Sequence, residues 1–91
     1  NNNSSMAFHN LANTQRSMGK YKEAIIFYKN ALEIKPEQIE SINALGLTYY
    51  DVFENKSGVE CFKSILEIDE KNYSAKRNQY LLYQINYKFW V

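Results

Sequence analysis

The sequence resembles itself when it is shifted by 34 residues. At this offset Leu11 aligns with Leu45 and Thr14 with Thr48, and the run Leu-Glu-Ile at 32–34 returns at 66–68. A repeat of this length is one supersecondary unit, which buries its apolar face only against the next copy. The chain is therefore predicted to fold as a stack of similar units.

The scarcity of helix-breaking residues and the spacing of apolar residues favour helices. It contains one proline and three glycines, and apolar residues recur at helical spacing. We predict five helices, over about 5–18, 21–34, 38–52, 56–68 and from 73 to the end. Ser4 or Ser5 is expected to cap the first helix, Gly19 to end it in a left-handed conformation, and Asn72 to cap the last. In the second connection Asn55 is the expected left-handed residue, because Phe53 stands where the first copy has Gly19.

The period of the repeat and its signature positions resemble those of the tetratricopeptide repeat (TPR) family. In the first copy the matching residues are Phe8, Leu11, Ala12, Gly19, Tyr21, Ala24, Tyr28, Ala31 and Pro36. In the second they are Ile42, Leu45, Gly46, Tyr49, Gly58, Phe62 and Leu66. The resemblance implies an all-α, right-handed superhelical stack of antiparallel helix hairpins. Its units are a frayed tail at 1–4, repeats at 5–38 and 39–72, and a capping or partial-repeat helix at 73–91.

The signature residues are expected to form the core. Ala12 opposite Ala24, and Gly46 opposite Gly58, would let the helices of each hairpin approach closely. Large side chains, including Phe8, Leu11, Tyr28 and Leu32, would fill the layer between hairpins.

The resemblance also implies a concave groove lined by the first helix of each unit. The residues expected there, called the predicted groove below, are His9, Asn13, Arg16, Asn43, Leu47, Tyr50, Asp51, Arg77, Leu81 and Gln84. Their mixture of hydrogen-bonding and apolar side chains suits a peptide or helix of another protein better than a small metabolite. An ordinary solvated face is the alternative.

Some members of the family clamp the terminal carboxylate of heat-shock chaperones with lysine, asparagine and arginine side chains. The corresponding positions here are His9, Asn13, Ala44, Ser74 and Asn78, of which only Asn13 agrees. Because the required cations are missing, charge-assisted hydrogen bonds to a carboxylate are not available at these positions. The sequence therefore disfavours this chaperone function.

No cofactor, metal site or catalytic activity is expected from the sequence. His9 is the only histidine, with no cysteine or carboxylate cluster at ligand spacing, and we expect it on the polar surface. Cys61 is expected to be an inert thiol, and a single cysteine fits a reducing compartment, so we expect a cytoplasmic protein. No apolar stretch is long enough for a spanning helix.

The predicted groove implies a protein-interaction module, that is, a scaffold or adaptor. Two alternatives to this function remain open. The last helix carries apolar residues around much of its circumference, and Tyr83, Tyr87, Phe89 and Trp90 could pair between copies of a self-associating fragment. RNA binding, as in pentatricopeptide repeats, is disfavoured because those repeats run at about 35 residues with a basic groove, and the net charge here is only +1.

Overall fold

The chain forms five helices joined by short turns. A computed structural model describes the backbone of residues 2–90 and the side chains of residues 3–81. The helices are α1 (Asn2–Ser17), α2 (Tyr21–Ile34), α3 (Ile39–Asp51), α4 (Asn55–Ile68) and α5 (Tyr73–Trp90). α1 packs on α2 and α3 on α4 as two hairpins, α2 contacts α3, and α5 packs on α4. The predicted all-α stack of hairpins is confirmed.

The turn within each hairpin is the same motif twice. Gly19 has φ of 78°, and the N–H groups of Gly19 and Lys20 donate to the carbonyls of Arg16 and Gln15. These are the two hydrogen bonds of the Schellman motif, which ends a helix at a residue in left-handed conformation. The predicted role of Gly19 is confirmed.

In the second hairpin the left-handed residue is Phe53, with φ of 64°, and the prediction for Asn55 is wrong. The N–H groups of Phe53 and Glu54 donate to Tyr50 and Tyr49, which repeats the hydrogen bonds of the first turn. Asn55 is the first residue of α4. The position in the motif, rather than the residue type, decides which residue takes the positive φ.

The ends of the other helices differ in part from the prediction. α1 begins at Asn2, so Ser4 and Ser5 lie inside the helix and neither is its cap. At the start of α5, the N–H of Ala75 donates to Asn72 Oδ1 at 2.9 Å, which confirms the predicted cap.

The core consists of two clusters, one for each hairpin. The first is formed by Ala12, Ala24, Tyr28 and Leu45, and the second by Ile42, Val59, Phe62, Ile65 and Ala75. Leu45 in the first cluster comes from α3, and Ala75 in the second comes from α5. Each hairpin is therefore closed by the first helix of the following unit, as expected for stacked repeats.

Close packing in the second hairpin depends on Gly46, although its nearest neighbour is not Gly58. A Cβ atom at Gly46 would lie 2.7 Å from Cζ of the fully buried Phe62. Only glycine therefore accommodates the aromatic ring at this point.

Leu11 does not fill a layer between hairpins. Its side chain is 40% exposed, whereas its counterpart Leu45 is 5% exposed. Leu45 lies against the first hairpin, and no hairpin of the described chain covers the equivalent face of α1. Phe8, the neighbour of Leu11 on this face, is half-buried and stacks on Phe27 with ring centroids 6.3 Å apart.

None of the helices over the described residues has both the length and the hydropathy to span a bilayer.

Candidate functional site

The polar residues of the predicted groove form contacts between the first helices of successive units. Arg16 near the end of α1 donates from Nε to Asp51 Oδ2 at the end of α3, at 3.0 Å. Further along the stack, Nδ2 of Asn78 on α5 donates to Asn43 Oδ1 on α3, over a long 3.4 Å. The first pair joins two residues of the predicted groove, whereas the second joins Asn43 of that groove to Asn78, which the prediction did not place there.

Asn13 lies beside the ion pair. The Tyr28 hydroxyl, which reaches from α2, donates a short hydrogen bond to Asn13 Oδ1. Burial raises the pKa of Tyr28, the positive charge of Arg16 opposes this rise, and the negative charge of Asp51 adds to it. The phenol, the amide and the ion pair are thus one electrostatic cluster at the α1–α3 junction.

His9 is buried rather than on the polar surface, so the prediction of a surface histidine is wrong. Its side chain is 9% exposed, its ring lies 5.6 Å from that of Tyr28, and its Nδ1 lies 2.8 Å from Ser41 Oγ. Ser41 comes from α3. Because the partners arrive from other helices, the position of His9 on α1 alone does not reveal its burial.

Two polar residues that the sequence did not point to, Gln38 and Ser41, complete this arrangement together with Ser5, which was expected only as a helix cap. Gln38 Nε2 donates to Ser41 Oγ at 2.7 Å. The Ser5 hydroxyl faces two acceptors, Gln38 Oε1 at 2.9 Å and the Ala31 carbonyl at 3.0 Å. Ser5, His9, Gln38 and Ser41, called the buried polar network below, join α1 to the start of α3. Such groups persist in a core because each has a hydrogen-bond partner.

The apolar residues of the predicted groove are partly exposed. Tyr50 is 43% and Leu81 is 50% exposed, while Leu47 is half-buried against the second core cluster. Arg77 is exposed and has no hydrogen bond or ion pair with another described residue. Gln84, Tyr83, Tyr87, Phe89 and Trp90 lie outside the residues whose side chains the structure describes. The predicted groove therefore combines satisfied polar pairs with exposed apolar surface.

A separate cavity of about 400 Å³ lies where the two hairpins meet. It is lined by Leu32 and Pro36 from the first hairpin and its turn, and by Tyr49 and Cys61 among residues of the second. Burial raises the pKa of the Cys61 thiol to about 11, Lys29 opposes this rise and Glu60 adds to it. Among the described residues, no group of His, Cys, Asp or Glu could hold a metal ion.

Comparison with known proteins agrees with the repeat and with the fold. The sequence profile of the tetratricopeptide repeat matches residues 5–38. No curated protein sequence matches the chain. Among solved structures, the chain is similar to the second TPR of Spaghetti (RPAP3) bound to the HSP90 peptide SRMEEVD, with a TM-score of 0.88 and 13% sequence identity. The similarity covers 96% of this chain and 81% of that one.

At 13% identity the likeness to this structure concerns the fold, whereas the profile match concerns the sequence itself. The two findings agree on the same architecture. Residues 5–38 thus match the tetratricopeptide repeat in sequence, and the chain shares its all-α fold with a solved TPR structure.

Proposed function

We propose that the chain is a protein-interaction module without catalytic activity, which binds a peptide or helix of a partner protein in the predicted groove. One observation carries the proposal: the first helices of successive units contact each other through the Arg16–Asp51 and Asn43–Asn78 pairs. Side chains along these helices therefore belong to a connected surface, long enough for an extended segment.

The exposed apolar residues support the proposal. Tyr50 and Leu81 expose about half of their surface in the fold and are available to anchor apolar side chains of a ligand. Spaghetti (RPAP3), which shares the fold, binds a peptide through its second TPR. A scaffold or adaptor role follows from binding of this kind.

Selection of peptides from a random heptapeptide library, displayed on phage, tests the proposal. We expect the chain to select peptides, and Tyr50→Ala and Leu81→Ser to weaken their binding about tenfold or more, as loss of an apolar anchor does at an interface. Fluorescence anisotropy with the labelled synthetic peptides measures the affinities.

Ile26→Ser is the matched control. Ile26 is 57% exposed, close to the exposure of Leu81, but it lies on α2, a second helix of a hairpin. Its loss is expected to change affinity by less than about twofold, as for a residue outside the interface. Peptides that bind the Tyr50 and Leu81 variants as tightly as the parent, and lose affinity with Ile26→Ser, would place the binding surface elsewhere.

A further inference from the structure

The part of the predicted groove formed by α1 and α3 holds very little positive charge. Arg16 is the only arginine or lysine in the two helices. The other basic side chain is His9, which is buried against Ser41. Any attraction of this part for an acidic ligand therefore depends on Arg16.

Arg16 is already held by a carboxylate. Its Nε lies 3.0 Å from Asp51 Oδ2, and the two side chains are only 32% and 25% exposed. Because solvent screens a partly buried pair less than an exposed one, Asp51 cancels most of the field that Arg16 would project into the groove. A ligand carboxylate that approached Arg16 would also approach Asp51 and be repelled.

The ion pair lies beside groups that a ligand would meet. Asn13 is exposed and accepts its hydrogen bond from Tyr28, and the hydroxyl of Tyr28 senses both charges. Tyr50 directly precedes Asp51 and is 43% exposed. A peptide that contacted Asn13 and Tyr50 would thus pass close to the pair.

We propose that Asp51 determines the charge preference of this surface: by holding Arg16, it makes the α1–α3 part of the predicted groove accept uncharged, apolar peptide segments and reject acidic ones. This inference rests on the proposed function of the groove. It adds the class of partner. The expected ligand is an internal peptide segment without Asp or Glu, rather than an acidic chain terminus.

The test repeats the phage selection with the parent, Asp51→Asn, and the double variant Arg16→Gln/Asp51→Asn. The parent is expected to select peptides with fewer Asp and Glu residues than the input library. Asp51→Asn should bind an acidic analogue of a selected peptide about tenfold more tightly than the parent does, because removal of a repelling charge leaves Arg16 unpaired. The double variant should lose this gain, since the gain requires the guanidinium.

Glu67→Gln controls for net charge. It removes one negative charge from an exposed site on α4 and should leave the peptide preference unchanged. Selection of acidic peptides by the parent, or an equal gain in Glu67→Gln, would overturn the role of Asp51 while leaving groove binding intact. A failure of every variant to select any peptide would instead overturn the proposed function and this inference with it.

Discussion

At the scale of single residues, the polar groups inside the stack depend on one another. Ser41 Oγ lies within hydrogen-bonding distance of both Gln38 Nε2 and His9 Nδ1, and Ser41 is fully buried. Removing one such partner leaves the others without water or protein to bond to. The hydroxyl of Ser41 therefore stabilises the fold by satisfying two buried polar groups at once.

We expect Ser41→Ala to lower the free energy of unfolding by about 1 to 3 kcal/mol, because it leaves two buried polar nitrogens without their partner. Unfolding in guanidinium chloride, followed by circular dichroism, measures the change. Ser64→Ala is the control: Ser64 is exposed and its hydroxyl donates only to the Glu60 carbonyl of its own helix. If the two variants unfold at the same denaturant concentration, the buried polar network does not stabilise the fold.

The thiol of Cys61 gives a pH prediction. Its pKa rises from an ordinary 9.0 to about 11, chiefly through burial, so the folded state keeps a proton that the unfolded state releases. The contribution of the thiol to the free energy of unfolding should therefore be constant below about pH 9 and be lost between about pH 9 and 11. At pH 8 the thiol should react with a disulfide reagent at least about tenfold more slowly in the folded than in the denatured chain, because a smaller fraction of it is thiolate and the greater nucleophilicity of a more basic thiolate offsets only part of this loss.

Cys61→Ser separates this effect from other titrations. The variant should lose that part of the decline in stability above pH 9 that the thiol causes, although tyrosines and lysines still titrate there. Equal reaction rates in the folded and denatured chains would contradict the burial of the thiol.

At the scale of elements, the two hairpin turns use one backbone motif with different residues. Phe53 adopts the conformation that Gly19 adopts in the first copy, and its ring is 91% exposed. A bulky residue with positive φ is strained, and here no burial of the ring offsets the cost. The second turn is therefore a weak point in the second hairpin.

We expect Phe53→Gly to raise the free energy of unfolding by about 1 kcal/mol, because glycine takes this conformation without steric cost. Thermal and denaturant unfolding measure the gain. The reciprocal change, Gly19→Phe, should destabilise by a similar amount, since nothing lies within 4 Å of a Cβ added there and only backbone strain would act. A less stable Phe53→Gly variant would mean that the exposed ring makes contacts worth more than the strain.

The repeat made the helices and the order of the hairpins predictable from the sequence. The contacts between side chains of different units could not be predicted in this way. Gly19 and Asn72 could be assigned from local rules, because a left-handed stop and a side-chain cap involve only near neighbours. The burial of His9 depends on Ser41 and Gln38, which lie more than 28 residues away in sequence and have no distinctive pattern. The Arg16–Asp51 pair joins two residues that were both expected on the predicted groove, but their spacing does not reveal that they bind each other.

At the scale of the whole molecule, burial is uneven along the stack over the described side chains of residues 3–81. α3 has five buried residues, of which Leu45 packs in the first core cluster and Ile42 in the second. In α5, Ala75 is the only buried residue among the described side chains at 73–81, and Tyr73, Tyr80 and Leu81 are at least half exposed. In a stack where each unit contacts only its neighbours, an element with fewer buried contacts opens more easily.

We therefore expect α5 to open before the hairpins unfold. Native-state hydrogen exchange at increasing denaturant should give residues 77–81 an opening free energy at least about 1 kcal/mol below that of Phe62 and Ile65, which should exchange by global unfolding. Ala75→Glu should weaken the protection of α5 further, because it places a charge against the second core cluster, while the protection of Ala24 and Tyr28 in α2 changes much less. Equal opening free energies in α5, α3 and α2 would show that these helices unfold as one cooperative unit. The part of the predicted groove on α5 would then be as rigid as the parts on α1 and α3.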